Sequence, residues 1–126
     1  MKFSMTENGF SGGLPYGELN VSTNEEFGFR PYQLLVASLA VCSGGIIRKI
    51  LEKMRMPAED IQVDVKEIVR IDEEAGRVAK VHLHFIIKGD IDPSKMDHIM
   101  ELTHKNCSMV RSVENSMEII ETYEMV

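Results

Sequence analysis

Two segments of the chain alternate with period two. In the first, Ile61, Val63, Val65, Val69 and Ile71 are separated by Gln62, Asp64, Lys66 and Arg70, with Glu67 and Ile68 out of step. In the second, Val81, Leu83, Phe85 and Ile87 are separated by Lys80, His82, His84 and Lys88, with Ile86 the exception. One apolar and one polar face is the pattern of an antiparallel sheet with one wet side. Asp72-Glu73-Glu74-Ala75-Gly76 between them supplies turn residues for a hairpin loop.

Upstream, the pattern becomes helical. Pro31 suits a first helical turn, because its fixed φ is helical and its missing N–H would lack a partner there. The helix is expected from about position 31 to about 54, before Pro57. Its first half is apolar nearly all round, with Leu34, Leu35, Val36, Ala37, Leu39, Ala40, Val41, Ile46 and Ile47. Such a helix must be covered on every side. The chain's own sheet covers one side, and a second copy of the same helix is the simplest cover for the other, so a homodimer is expected. A second helix is expected from Asp92 as N-cap and Pro93 at the first helical position, with an apolar stripe of Met96, Ile99, Met100, Thr103 and Cys107. A short irregular segment and a last strand at about 117–123 should follow. Before position 30, glycine-rich turns separate two or three short strands, one at about 18–22. The order gives an α+β domain, with antiparallel sheets, a long buried central helix and a second helix.

At 126 residues the chain has room for one domain. Its net charge of −6 comes with no cluster of Lys and Arg, so neither nucleic acid nor an anionic membrane is expected as a partner. The start, Met-Lys-Phe-Ser-Met-Thr-Glu, lacks the apolar core of a secretory signal. The apolar stretch 34–47, softened by Ser38, Ser43, Gly44 and Gly45, is too short to span a bilayer and fits a core helix. Two cysteines are too few for a disulfide scaffold or a cysteine zinc site. A cytoplasmic protein is expected, whose thiols are either inert core residues or a redox pair.

Cys42 precedes Ser43-Gly44-Gly45 in the helix. A helical glycine costs roughly 1 kcal/mol against alanine. Two together imply close approach by another helix or open space beside the thiol, although a small buried core cysteine is the commoner case. Cys107 follows His104 by three positions, so the imidazole either helps ionise the thiol or lies solvated on the helix flank. His82 and His84 share a strand face with Lys80 and Lys88. A wet sheet surface explains them better than a metal site with only two ligands. Arg48, Lys49, Glu52, Lys53 and Arg55 mark a solvated face near the helix end, where cations suit the dipole. No phosphate-cradling loop or ligand cluster calls for a nucleotide or metal.

The segment Arg30-Pro31-Tyr32-Gln33-Leu34-Leu35-Val36-Ala37-Ser38-Leu39-Ala40-Val41-Cys42 resembles a signature of the osmotically induced protein C (OsmC) and organic hydroperoxide resistance (Ohr) family. The strand block at 78–89 and His104-Lys105-Asn106-Cys107-Ser108 are similar to that family's later blocks, so the resemblance runs from Phe29 onward. It implies an intertwined homodimer with two sites at the subunit interface, each pairing Cys42 with Cys107. In such proteins the first cysteine attacks a hydroperoxide and the second resolves the sulfenic acid to a disulfide, which an external dithiol reduces. That disulfide needs Cα atoms within about 4.4–6.8 Å. The peroxidase members carry a glutamate after the helix-opening proline and an arginine in the N-terminal strands. Here those features are Tyr32 and no arginine, and Ser108 stands where proline is usual. Arg30 is then the candidate for electrostatic support of Cys42. Tyr32, Leu39 and Ile46 are the candidate contacts to an organic hydroperoxide, and no bound cofactor is expected. Two other readings stay open: a binding dimer whose cysteines react slowly, and a structural module with two core thiols.

Overall fold

The computed structural model, which describes residues 1–126, folds the two alternating segments into a hairpin. The chain falls into two compact units, Met1–Ala37 and Ser38–Val126, and one helix runs through the boundary.

The first unit holds three short strands, β1 (Phe3–Met5), β2 (Phe10–Gly13) and β3 (Glu18–Val21), in an antiparallel meander. The turn before β3 closes through Leu14 N–H donating to Gly17 C=O at 2.9 Å. Helix α1 (Pro31–Lys53) starts as the sequence indicates. Arg30 is the residue before its first turn, and the Gln33 side chain reaches back to accept from the Arg30 N–H at 3.3 Å, one half of a capping box.

In the second unit β4 (Asp60–Ile71) and β5 (Arg77–Lys88) pair antiparallel, and β6 (Glu118–Met125) joins β5 on its other edge. The break at Glu67 and Ile68 is a bulge. Val65 pairs with Leu83 and Glu67 with His82, so Lys66 is the extra residue and Ile68 returns inward opposite Val81. The inner face of β5, formed by Val81, Leu83, Phe85 and Ile87, is fully buried. β6 runs parallel to β5, which corrects the expectation of antiparallel pairing throughout. A parallel neighbour needs a long crossover, and the helices after β5 provide it. Asp92 accepts from the Ser94 N–H at 3.0 Å and opens a short 3-10 turn, Pro93–Lys95, that leads into α2 (Met96–Asn106).

The segment after Cys107, expected to be irregular, is a third helix, α3 (Ser108–Val113). Its apolar residues Val110 and Val113 sit three apart, and Val110 is buried. Cys107 separates the two helices with an extended backbone, φ −81° and ψ 109°.

The glycine pair of α1 divides its roles. A Cβ on Gly44 would lie 3.0 Å from Val63 Cγ2, so β4 approaches the helix backbone there. A Cβ on Gly45 would meet nothing within 4 Å, and that side is exposed. By length and composition alone α1 reaches what a membrane-crossing helix needs, beyond what its apolar stretch suggested, but Leu39, Ile47 and Leu51 commit one face to the core. Phe85→Ala is expected to lower the unfolding free energy by about 3–5 kcal/mol. Tyr16→Ala, at a side chain that is 105% exposed, should change it by less than about 0.5 kcal/mol. Urea denaturation of the two variants checks both.

Candidate functional site

Cys42 sits in the middle of α1 and Cys107 at the break between α2 and α3. Both are free thiols; Cys107 is fully buried and Cys42 is half-buried. The fold brings them together with the serine that follows each. The Ser43 hydroxyl, itself fully buried, donates to Cys107 Sγ at 3.4 Å. Cys42 Sγ stands 3.9 Å from Ser108 Oγ. The two thiols are close enough to influence each other's acidity.

These contacts push the two thiols apart in acidity. Burial raises the pKa of Cys42. The Cys107 thiol, the Met109 amide, and the Ser108 hydroxyl and amide all favour its anion and together outweigh burial, so it lies below the ordinary thiol value. Burial also raises Cys107, and its interaction with Cys42 raises it further. The Ser43 hydroxyl and the Val110 amide pull the other way without reversing the shift. The amides of Ser108 and Met109 are available because first-turn N–H groups have no partner within their own helix. Sequence alone offered no group to ionise Cys42 except a cation. The donors it missed are neutral and lie more than sixty positions away, and the one visible signal was Ser108 in place of a residue without an N–H.

The other candidates lie as follows. Arg30 belongs to the first unit, where its guanidinium stacks over the Tyr32 ring at 4.9 Å. Leu39 is fully buried on α1, and Ile46 is half-buried on the same helix. Val41, Gly44, Gly45 and Arg48 line an open groove with Ala58, Glu59, Asp60, Ile61 and Val63.

His104 is neither a base for Cys107 nor a free flank residue. Its Nδ1 lies 2.9 Å from Glu121 Oε1 and its Nε2 3.1 Å from Glu114 Oε2, so it ties α2 to β6 and to the end of α3. The Glu121 side chain is only 6% exposed, and its Oε2 has no partner. On the outer face of the sheet His82 and His84 share one acceptor and donor, Thr122 Oγ1, each at 2.7 Å.

A sequence model of the family described as OsmC-like protein matches residues 22–122. Several solved structures are similar along nearly the whole chain. A hypothetical protein from Aquifex aeolicus VF5 is 20% identical, with 99% of this chain and 93% of that chain covered and a TM-score of 0.87. An OsmC like protein from Mycoplasma pneumoniae is 13% identical, with 99% and 94% covered and a TM-score of 0.86. An organic hydroperoxide resistance protein OsmC from Legionella pneumophila is 17% identical, with 98% and 93% covered and a TM-score of 0.76. At these identities the likeness is one of fold. No curated protein matches the chain in sequence.

The opposed shifts give a direct expectation. Because its pKa is lowered, Cys42 becomes thiolate at lower pH than Cys107, and only the thiolate is alkylated. Iodoacetamide labelling followed by peptide mass across pH 6 to 10 should modify Cys42 first, with Cys107 lagging at every pH.

Proposed function

The chain belongs to the OsmC-like family, and from that premise we propose that it is a thiol-dependent peroxidase that reduces organic hydroperoxides. The observation that carries this reading is the paired thiols, of which Cys42 has the lower pKa and the greater exposure. Cys42 is the attacking sulfur. Its thiolate takes the terminal oxygen of the O–O bond, the alkoxide leaves and picks up a proton, and Cys42 becomes a sulfenic acid. The Cys107 thiol then displaces hydroxide from that sulfur, and water and a Cys42–Cys107 disulfide result. An external dithiol restores both thiols and leaves as its own disulfide. No metal or organic cofactor takes part, and the work is done in the reducing cytoplasm. Ile46, half-buried on the helix that carries Cys42, serves as apolar surface toward the substrate, whereas Leu39 is fully buried and supports the helix from within the core.

The working form in this reading is a homodimer. Val41 is 73% exposed in the most apolar stretch of the chain, and Gly45 beside it leaves room for a neighbouring backbone. An apolar helix face of this kind asks for a cover. A second reading, a small-molecule-binding dimer with slow thiols, is favoured by one feature. The groups acting on Cys42 are all neutral, and the groove along Val41 and Gly45 is open.

Cys42→Ser should abolish turnover of cumene hydroperoxide with a dithiol. Cys107→Ser should give one turnover and then accumulate sulfinic acid at Cys42, seen by intact mass. Wild-type protein keeping both thiols through a stoichiometric dose would favour the binding reading instead. Sedimentation should give twice the 14.3 kDa of one chain, and Val41→Glu should shift the protein to the monomer.

A further inference from the structure

The two cysteines are each followed by serine, and the pairs meet crosswise. The Ser43 hydroxyl donates to Cys107 Sγ at 3.4 Å, and Ser108 Oγ lies 3.9 Å from Cys42 Sγ. These two contacts hold the break between α2 and α3 against the turn of α1 that carries Cys42. Ser43 and Cys107 are both fully buried. A serine inside a helix commonly bonds back to the carbonyl four residues earlier. Here the hydroxyl donates to a sulfur of another element. A thiol sulfur is a weak acceptor, and alanine would suit the helix better at this place. The hydroxyl gains its value once Cys107 is ionised, because a hydrogen bond to an anion is roughly twice as strong as one between neutral groups.

We propose that Ser43 belongs to the resolving step, its hydroxyl stabilising the Cys107 thiolate while that sulfur attacks Cys42. A fully buried thiol has no water to solvate its anion, and the Ser43 hydroxyl takes the place of that water. Because Ser43 directly follows Cys42, one turn of α1 carries both the donor and the sulfur to be attacked. The Cys107 sulfur is therefore held beside its target by the same contact that favours its anion. Ser108, whose hydroxyl lies on Cys42, has no part in this step. The proposal deepens the peroxidase reading and rests on it for its purpose, but its test runs without peroxide.

One equivalent of dithiodipyridine per chain, with thiopyridone release followed by absorbance, separates the two sulfurs. The Cys42 thiolate cleaves the reagent, releases one thiopyridone and is left in a mixed disulfide. Cys107 gives its proton to solvent and attacks the Cys42 sulfur, the second thiopyridone leaves, and a Cys42–Cys107 disulfide remains. Ser43→Ala should leave the first phase unchanged and slow the second roughly two- to tenfold at pH 7, the effect of one hydrogen bond. The midpoint of the second phase should move to higher pH while its limiting rate at high pH does not fall, a pattern that a loosened core would not produce. Ser108→Ala should keep the wild-type second phase. A wild-type midpoint in Ser43→Ala, an equal slowing by Ser108→Ala, or a wild-type chain that releases only one thiopyridone overturns the proposal. A hydroperoxide-inert protein that still shows the Ser43 dependence would sink the peroxidase reading and leave the role of Ser43 standing.

Discussion

A partly buried thiol in the middle of an apolar helix ionises more readily only where donors other than water favour its anion. That requirement links several features of the second unit. Helix α1 places Cys42 too far from either helix end for the macrodipole to help, since that effect fades within a turn. The donors come from a second place where the chain must stop and restart. The extended backbone of Cys107 ends α2 and opens α3, and a fresh helix start exposes amides that have no partner of their own. That break lies on the crossover that makes β6 parallel to β5. Sheet topology, helix interruption and thiol acidity are therefore consequences of one path of the chain.

The hairpin, both longer helices and the start of α1 were legible in the sequence because each is set by local periodicity or by a capping residue. The direction of β6 was not, because alternation describes faces and says nothing of which way a neighbour runs. Helix α3 was hidden by its brevity, since six residues are too few for a period to stand out from background. The disorder of pattern at Glu67 was visible, but its cause was Lys66, whose insertion can be seen only against the partner strand. The resemblance singled out the two cysteines, which the fold brings together, but it did not show the groups in α3 that act on Cys42. They are backbone amides and a hydroxyl distant in sequence, and only the fold sets them beside a sulfur.

His104 illustrates the same limit from the other side. Three positions from Cys107, it invited a role in ionising that thiol, yet both of its nitrogens are taken by carboxylates. Helical spacing puts two side chains on adjoining positions, and rotamers and tertiary partners decide whether they meet. The glycine pair shows how adjacent identical residues answer to different demands. Gly44 is there for a strand inside the unit, and Gly45 leaves its outer side vacant.

The placement of Cys107 on a long crossover also bears on the life of the chain before it is complete. Contacts between distant segments form late, because the entropy of closing the loop must be overcome before any contact repays it. Until that closure each sulfur has the acidity of a free thiol in a peptide, with a pKa of about 8.5. Neither is then a selective target for oxidants. The lowered pKa of Cys42 arises only with the first turn of α3 in position, so the difference in acidity between the two thiols belongs to the finished fold and not to the emerging chain.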